Sequence, residues 1–217
     1  MTETSAGTAR ISLLRRASTL ELLTIGWDAT EGAVAIRAGL AAGSIALVGF
    51  GLDSAIEIVS AVALFARLRG EIRTREINER AEALAVRIVG VTFFLLATYV
   101  AWEAVSTLVH REQARESLVG IVLAAVALVV MPWLGWAKMR IGRSLGSAAL
   151  VADAKETFAC GYLSFALLLG LGLNALFGWW WADPAAALIM VPFLVREGWE
   201  AFEEEDEEVD EGEREPE

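Results

Sequence analysis

The chain has 217 residues, of which 56% are hydrophobic and 22% charged, and its formal net charge is −11. So acidic a chain is not expected to bind nucleic acid, because contact with a phosphate backbone needs clustered basic residues. A single cysteine, Cys160, excludes an intramolecular disulfide. The mean hydropathy of +0.51 indicates a membrane protein.

The charge divides the chain into parts. Residues 200–217 hold twelve acidic residues and one basic residue, whereas acids and bases balance over residues 1–199. We predict a cytoplasmic N-terminal segment over residues 1–19, a six-helix transmembrane domain over residues 20–199, and an acidic disordered cytoplasmic tail over residues 200–217. The N-terminus lacks the basic start and small-residue cleavage site of a signal peptide, so the first span is expected to be retained.

Six apolar stretches each approach the roughly 20 residues that cross a bilayer as a helix. The sequence therefore predicts an all-α membrane protein with six transmembrane helices. The predicted spans cover residues 20–42, 44–66, 83–107, 118–137, 147–172 and 184–198.

The connections between spans predict the orientation. Eleven basic residues, Lys138 among them, lie before the first span or in the connections on that side, against two on the other side. Because lysine and arginine are enriched in cytoplasmic connections, we predict a multi-pass protein of the cell inner membrane with both termini cytoplasmic.

An internal repeat relates the second and fifth spans. The sequence GSIALV at residues 43–48 matches GSAALV at residues 146–151. Nine residues after each serine comes Asp53 or Glu156, and four residues later comes Glu57 or Cys160. Because three spans separate the copies, the two helices run in opposite directions. This predicts a 3+3 inverted repeat, a common plan in transporters.

Residues four apart lie on one face of a helix, so Asp53 pairs with Glu57 and Glu156 with Cys160 near the middle of their spans. Oxygen and sulfur donors in this number suit Zn²⁺, and the thiolate disfavours Mg²⁺ or Ca²⁺. We predict a metal site formed by these four residues. The alternatives are that the acids cap helices or pair with a base, and that Cys160 is a small apolar filler.

Three further acids lie near the predicted site. Asp28 and Glu31, three residues apart on the first span, either face the site, line a hydrated vestibule or pair with a base. Asp153 precedes Glu156 by one helical turn and is a candidate proton relay. Lys155 is expected to neutralise an acid on another span, with Asp28 as one candidate.

The run at residues 43–57 resembles the second transmembrane helix of the cation diffusion facilitator, or cation efflux, family. Residues 152–160 resemble its fifth helix, and residues 179–184 resemble the start of its sixth. The resemblance implies metal ligands on helices two and five, and a homodimer. Here Glu57 replaces the usual Asp, and Glu156 and Cys160 replace the usual His and Asp. The resemblance ends at the sixth helix, so a short member without the C-terminal cytoplasmic domain is expected.

These features predict an exporter of divalent transition-metal cations, with Zn²⁺ first and Cd²⁺ or Co²⁺ next. Metal entering from the cytoplasm would displace protons from its ligands, which gives metal/proton antiport. No enzymatic activity, cofactor or nucleic-acid partner is expected. The alternative is a non-transporting membrane assembly subunit with a structural metal or ion-pair site.

Overall fold

The computed structural model describes residues 2–42, 45–111 and 118–212. Helices are the only regular elements in these ranges, which confirms the all-α prediction. The six helices are α1 (Thr2–Ala42), α2 (Ile45–Thr74), α3 (Glu79–His110), α4 (Leu118–Leu145), α5 (Ala148–Phe177) and α6 (Ala182–Gly212).

Local signals explain several helix ends. The Asn78 side chain accepts a hydrogen bond from the Ala81 N–H, and acids occupy the first turn of α3. Gly146 adopts a left-handed conformation with φ of 67° between α4 and α5. Ser147, the serine of the second repeat copy, then accepts a hydrogen bond from the Leu150 N–H at 3.2 Å and caps α5. Gly43 and Ser44 of the first copy lie outside the described residues.

Each predicted span coincides with one helix, but several helices are longer than their spans. The first helix begins at Thr2, α2 continues to Thr74 and α4 to Leu145. The backbone of α6 is helical through Gly212, and the disordered tail from residue 200 onward stays a prediction. Glutamate is a good helix former, so an acidic run can extend a helix whose first turns are already packed. The last five residues of the tail lie outside the described residues.

Two helices are long and apolar enough to qualify as membrane spans over the described residues. These are α3, with a hydropathy of 2.0, and α4, with 2.5. The first helix contains Glu21, Asp28, Glu31 and Arg37 inside its predicted span. Six spans and the inverted repeat therefore stay predictions.

The helices pack mainly as three pairs, α1 with α2, α3 with α6, and α4 with α5. Glycines bring two of these pairs close together. A Cβ added at Gly51 would lie 2.9 Å from the Gly32 carbonyl oxygen, so α1 and α2 are in backbone contact. A Cβ added at Gly161 would lie 3.2 Å from the Pro132 ring, which fixes α4 beside Cys160. By contrast, α2 and α5 meet over a short stretch only, and that stretch carries the buried acids.

Candidate metal centre

The four predicted ligands lie in the interior of the bundle. Asp53 and Glu57 of α2 are 3% and 2% exposed, and Glu156 and Cys160 of α5 are 1% and 2% exposed. The Cys160 thiol lies next to the carboxylates of both Asp53 and Glu57. The two helices therefore bring the predicted residues into one buried region.

Several carboxylate oxygens in this region have no hydrogen-bond partner within the described part of the chain. They are Asp53 Oδ2, both oxygens of Glu57, and Glu156 Oε1. The second Glu156 oxygen accepts a hydrogen bond from Ser60 Oγ at 2.6 Å. Buried polar atoms are normally paired, so a set of orphan anionic oxygens points to an additional cation or bound protons.

The donors are not arranged as a preformed metal site. Over residues 2–42, 45–111 and 118–212, no three histidine, cysteine or acidic side chains are close enough to hold an ion as they stand. The predicted ligands thus lie in one region but do not form a coordination shell as they stand. The ligand set stays a prediction.

The first helix adds two acids to this region. Glu31 accepts hydrogen bonds from Trp27 Nε1 at 3.1 Å and from Ser54 Oγ at 3.3 Å. Asp28 is fully buried, and both of its oxygens are without a hydrogen-bond partner in the described structure. No described ion pair joins either acid to a base. We call these buried groups the outer layer: Asp28, Glu31, Asp53, Glu57 and Cys160.

A second polar cluster lies closer to the α4–α5 turn. The Lys138 ammonium forms ion pairs with Asp153 Oδ2 at 2.6 Å and Glu21 Oε2 at 3.1 Å, and donates to Thr157 Oγ1 at 3.3 Å. We call these four residues the inner layer. Asp153, the candidate proton relay, is therefore an ion-pair partner of a lysine, and its Oδ1 lies 3.4 Å from the Ser60 hydroxyl oxygen.

Lys138 lies within α4. The sequence wrongly predicts that it lies in a connection after the fourth span. Its side chain is fully buried within α4. The sequence did contain a signal, because Met131, Leu134 and Lys138 recur at the spacing of one buried helical face. A lysine in such a stripe needs acids from other helices, which the local pattern does not show.

Lys155 neutralises acids on another helix, as expected, but the helix is α6 and Asp28 is not the partner. Its ammonium lies 2.5 Å from Glu197 and 3.5 Å from Glu200. Arg196 also donates to Glu200 at 2.7 Å, and this hydrogen bond lowers the pKa of the Glu200 carboxyl. The described ion pairs of Lys155 are thus with α6.

An ion-pair network closes the end of the bundle that carries the α2–α3 and α4–α5 connections. Arg10 Nε lies 2.7 Å from Glu71, and Arg67 pairs with both Glu71 and Glu82. Glu82 also accepts hydrogen bonds from Ser147 Oγ at 2.6 Å and the Ala149 N–H at 3.1 Å. These residues, the arginine-rich end, join α1, α2, α3 and the start of α5.

In a helical bundle with an apolar surface, acids buried among the helices mark a candidate functional site. A family model described as the cation efflux transmembrane domain matches residues 32–205. The chain belongs to the cation efflux family, and it is therefore a membrane protein.

Individual relatives are distant. An uncharacterized transporter of Synechocystis sp. is 26% identical over 179 residues, which is 80% of this chain and 58% of the relative. A probable cation efflux system protein of Mycobacterium tuberculosis is 29% identical over 182 residues, 81% of this chain and 53% of the relative. A cadmium, cobalt and zinc/H(+)-K(+) antiporter of Bacillus velezensis is 26% identical over 121 residues, 56% of this chain and 38% of the relative. The chain spans about half the length of the first two relatives.

Proposed function

We propose that this protein exports divalent transition-metal cations, with Zn²⁺ as the first substrate and Cd²⁺ or Co²⁺ next. The observation that carries the proposal is the group of orphan carboxylate oxygens beside the Cys160 thiol, buried between α2 and α5. An ionised carboxylate in a membrane interior costs about 2.5–3.5 kcal/mol even on insertion scales. Several at one depth require a cation or protons to offset that cost. The name of the Bacillus velezensis relative supports this choice of metals and a proton-coupled mechanism.

In this mechanism Asp53, Glu57, Glu156 and Cys160 bind the ion. The empty site holds protons, and a metal ion arriving from the cytoplasm displaces them because ligands bind metal in their deprotonated form. Protons returning from the outer side then displace the metal. A thiolate among oxygen donors favours borderline ions over Mg²⁺ and Ca²⁺.

The proposal includes the membrane topology. Six spans, a 3+3 inverted repeat and cytoplasmic termini would place the α2–α5 contact near the midplane, where antiparallel repeats meet in many transporters. The arginine-rich end then faces the cytoplasm, in agreement with the excess of basic residues in its connections. A homodimer, and a location in the cell inner membrane, belong to the same proposal.

The test is zinc flux into proteoliposomes that contain a zinc-sensitive dye and an acidic lumen. Wild-type protein is expected to take up zinc, with lumenal pH rising, while Asp53→Ala and Glu156→Ala abolish uptake although they insert normally. Glu76→Ala, which removes an exposed acid of the α2–α3 connection, is the matched control and should behave as wild type.

The same assay separates transport from the structural alternative. Wild-type protein that binds zinc without moving it would favour an assembly subunit with a structural site. Normal uptake by either ligand variant would remove the assigned site.

A further inference from the structure

The Lys138 ammonium is held as a bound monovalent cation would be held. An ammonium group has three N–H donors, and three oxygens lie within 3.3 Å of it. Asp153 Oδ2 at 2.6 Å and Thr157 Oγ1 at 3.3 Å accept hydrogen bonds from it, and Glu21 Oε2 forms an ion pair with it at 3.1 Å. The Thr157 hydroxyl donates to the Asp153 carbonyl oxygen at 3.1 Å, so its lone pairs are directed to the lysine. The oxygens come from two helices other than the one that carries the lysine.

The bundle fixes the lysine in this position. Lys138, Glu21 and Asp153 are each fully buried. Gly135 and Gly142 flank the lysine on the α5-facing side of α4, and a Cβ at either would lie 3.3 Å or less from the Ala154 oxygen or the Val151 atoms. Because α4 and α5 are in close contact on both sides of Lys138, the ammonium has no room to reach solvent.

A buried lysine with buried acidic partners is not expected to stabilise the fold more than apolar residues would. Removing a charge pair from water costs several kcal/mol per ion, and well-packed apolar residues often stabilise a core as well or better. The ion pair therefore needs another explanation. The nearby Glu57 carboxylate also attracts this ammonium, which connects the inner layer to the proposed metal ligands.

We propose that Glu21, Asp153 and Thr157 form an inner cation site, permanently occupied by the tethered ammonium of Lys138. Removing the ammonium leaves a site for a free monovalent cation of similar size, such as K⁺ or NH₄⁺. In the wild-type protein the Lys138 side chain keeps the inner cation site filled. A divalent ion that reaches the outer layer is therefore not retained in the outer layer. That consequence for transport rests on the proposed function, whereas the site itself does not.

The first test is thermal unfolding of purified protein in salts of equal ionic strength. Lys138→Gln is expected to unfold at a higher temperature in K⁺ or NH₄⁺ than in N-methylglucamine, a cation too large for the site, by roughly 2–4 °C. Lys155→Gln makes the same change at the chain's other lysine, whose ammonium is half-buried against α6, and is the matched control. It should show no such cation dependence, and neither should wild type.

The second test is zinc flux with K⁺ or N-methylglucamine on both sides, without ammonium because it would collapse the proton gradient. Lys138→Gln is expected to lose most flux in N-methylglucamine and recover at least part of it in K⁺. Lys155→Gln and wild type should transport equally in both salts.

Each result bears on the proposal. A cation-independent Lys138→Gln, whether stable or unstable, would overturn the inner site, and so would stabilisation by Zn²⁺ in place of the monovalent ions. If Lys138→Gln cannot be purified, Lys138→Ala supplemented with propylammonium takes its place, and absence of rescue there is equally decisive. A cation-dependent melting temperature with no zinc flux by wild type would leave the inner site standing and reject the transport function.

Discussion

The outer and inner layers contain similar residues in different electrostatic situations. In the inner layer, two buried carboxylates share the Lys138 ammonium within 3.1 Å. In the outer layer, four buried carboxylates and a thiol have no basic residue within ion-pair distance among the described residues. The inner layer contains its own buried base, whereas no described ion pair brings a base to the outer layer. This difference supports the proposal that an exchangeable ion binds in the outer layer.

The largest expected effect concerns metal affinity in the outer layer. Glu57→Gln should weaken zinc binding by more than about 100-fold, because loss of even an outer-shell partner typically costs 10–100-fold. Glu76→Gln, at an exposed position, is the control. Isothermal titration of detergent-solubilised protein measures the change. Equal zinc affinity in the two variants would show that Glu57 does not bind the metal, and the contrast between the two layers would then not explain metal binding.

A second prediction concerns stability in the absence of metal. Asp153→Asn should destabilise the protein by about 3–5 kcal/mol, since it leaves a buried ammonium with one fewer partner. Asp28→Asn should be neutral or stabilising, because it removes a buried carboxylate that has no partner in the described structure. Thermal unfolding without metal gives both values. Destabilisation of similar size in the two variants would show that the outer layer is charge-compensated after all.

A third prediction concerns the helix contact that supports the outer layer. Gly51→Ala places a Cβ 2.6 Å from Ile36 Cγ1, so α1 and α2 must separate, at a cost of about 1–3 kcal/mol. Gly70→Ala, on the same helix with no atom within 4 Å of the new Cβ, should instead stabilise by about 0.5–1 kcal/mol. Unfolding temperatures distinguish the two. A neutral Gly51→Ala would mean that this contact does not position the outer layer.

The smallest expected effect is on selectivity. Cys160→Ser replaces a soft donor by a hard one at nearly the same size, so the ratio of zinc to manganese flux should fall more than the total flux. Competition between the two ions in proteoliposomes measures the ratio. If the ratio is unchanged, the thiol is not part of the metal's coordination shell and serves as a small apolar side chain.

The sequence predicted six helices well because each contains a long apolar run, and it located the buried acids because acids inside such runs are rare. It did not predict how far the helices extend. In a hydropathy pattern, a span ends at its first charged residues. The sequence therefore predicts that Lys138 and Arg67 lie in connections. Both are buried in the structure because acids from other helices surround them. Such long-range pairing is a property of the packed bundle and leaves little trace in local spacing.

The candidate site, too, was predictable where it depends on spacing within a helix and not where it depends on packing between helices. The four-residue spacing placed Asp53 with Glu57 and Glu156 with Cys160, and helix geometry made those predictions straightforward. The contribution of α1 was left open, because nothing in the sequence says which way a helix is rotated toward its neighbours. The pairing of Asp153 with Lys138 depends on the close α4–α5 contact at Gly135 and Gly142, which only the fold reveals.

The arginine-rich end has a mechanical consequence. Arg10, Arg67, Glu71 and Glu82 fasten α1, α2 and α3 to one another, and Glu82 extends the attachment to the start of α5. If the helices tilted while these bonds held, they would pivot about that end, and displacement would grow with distance along them. At about 1.5 Å of rise per residue, Glu31 lies roughly 30 Å from Arg10 along α1. A tilt of a few degrees at the fastened end would therefore move the outer layer by more than an ångström, a displacement comparable to the difference between a metal–ligand distance and a non-bonded one.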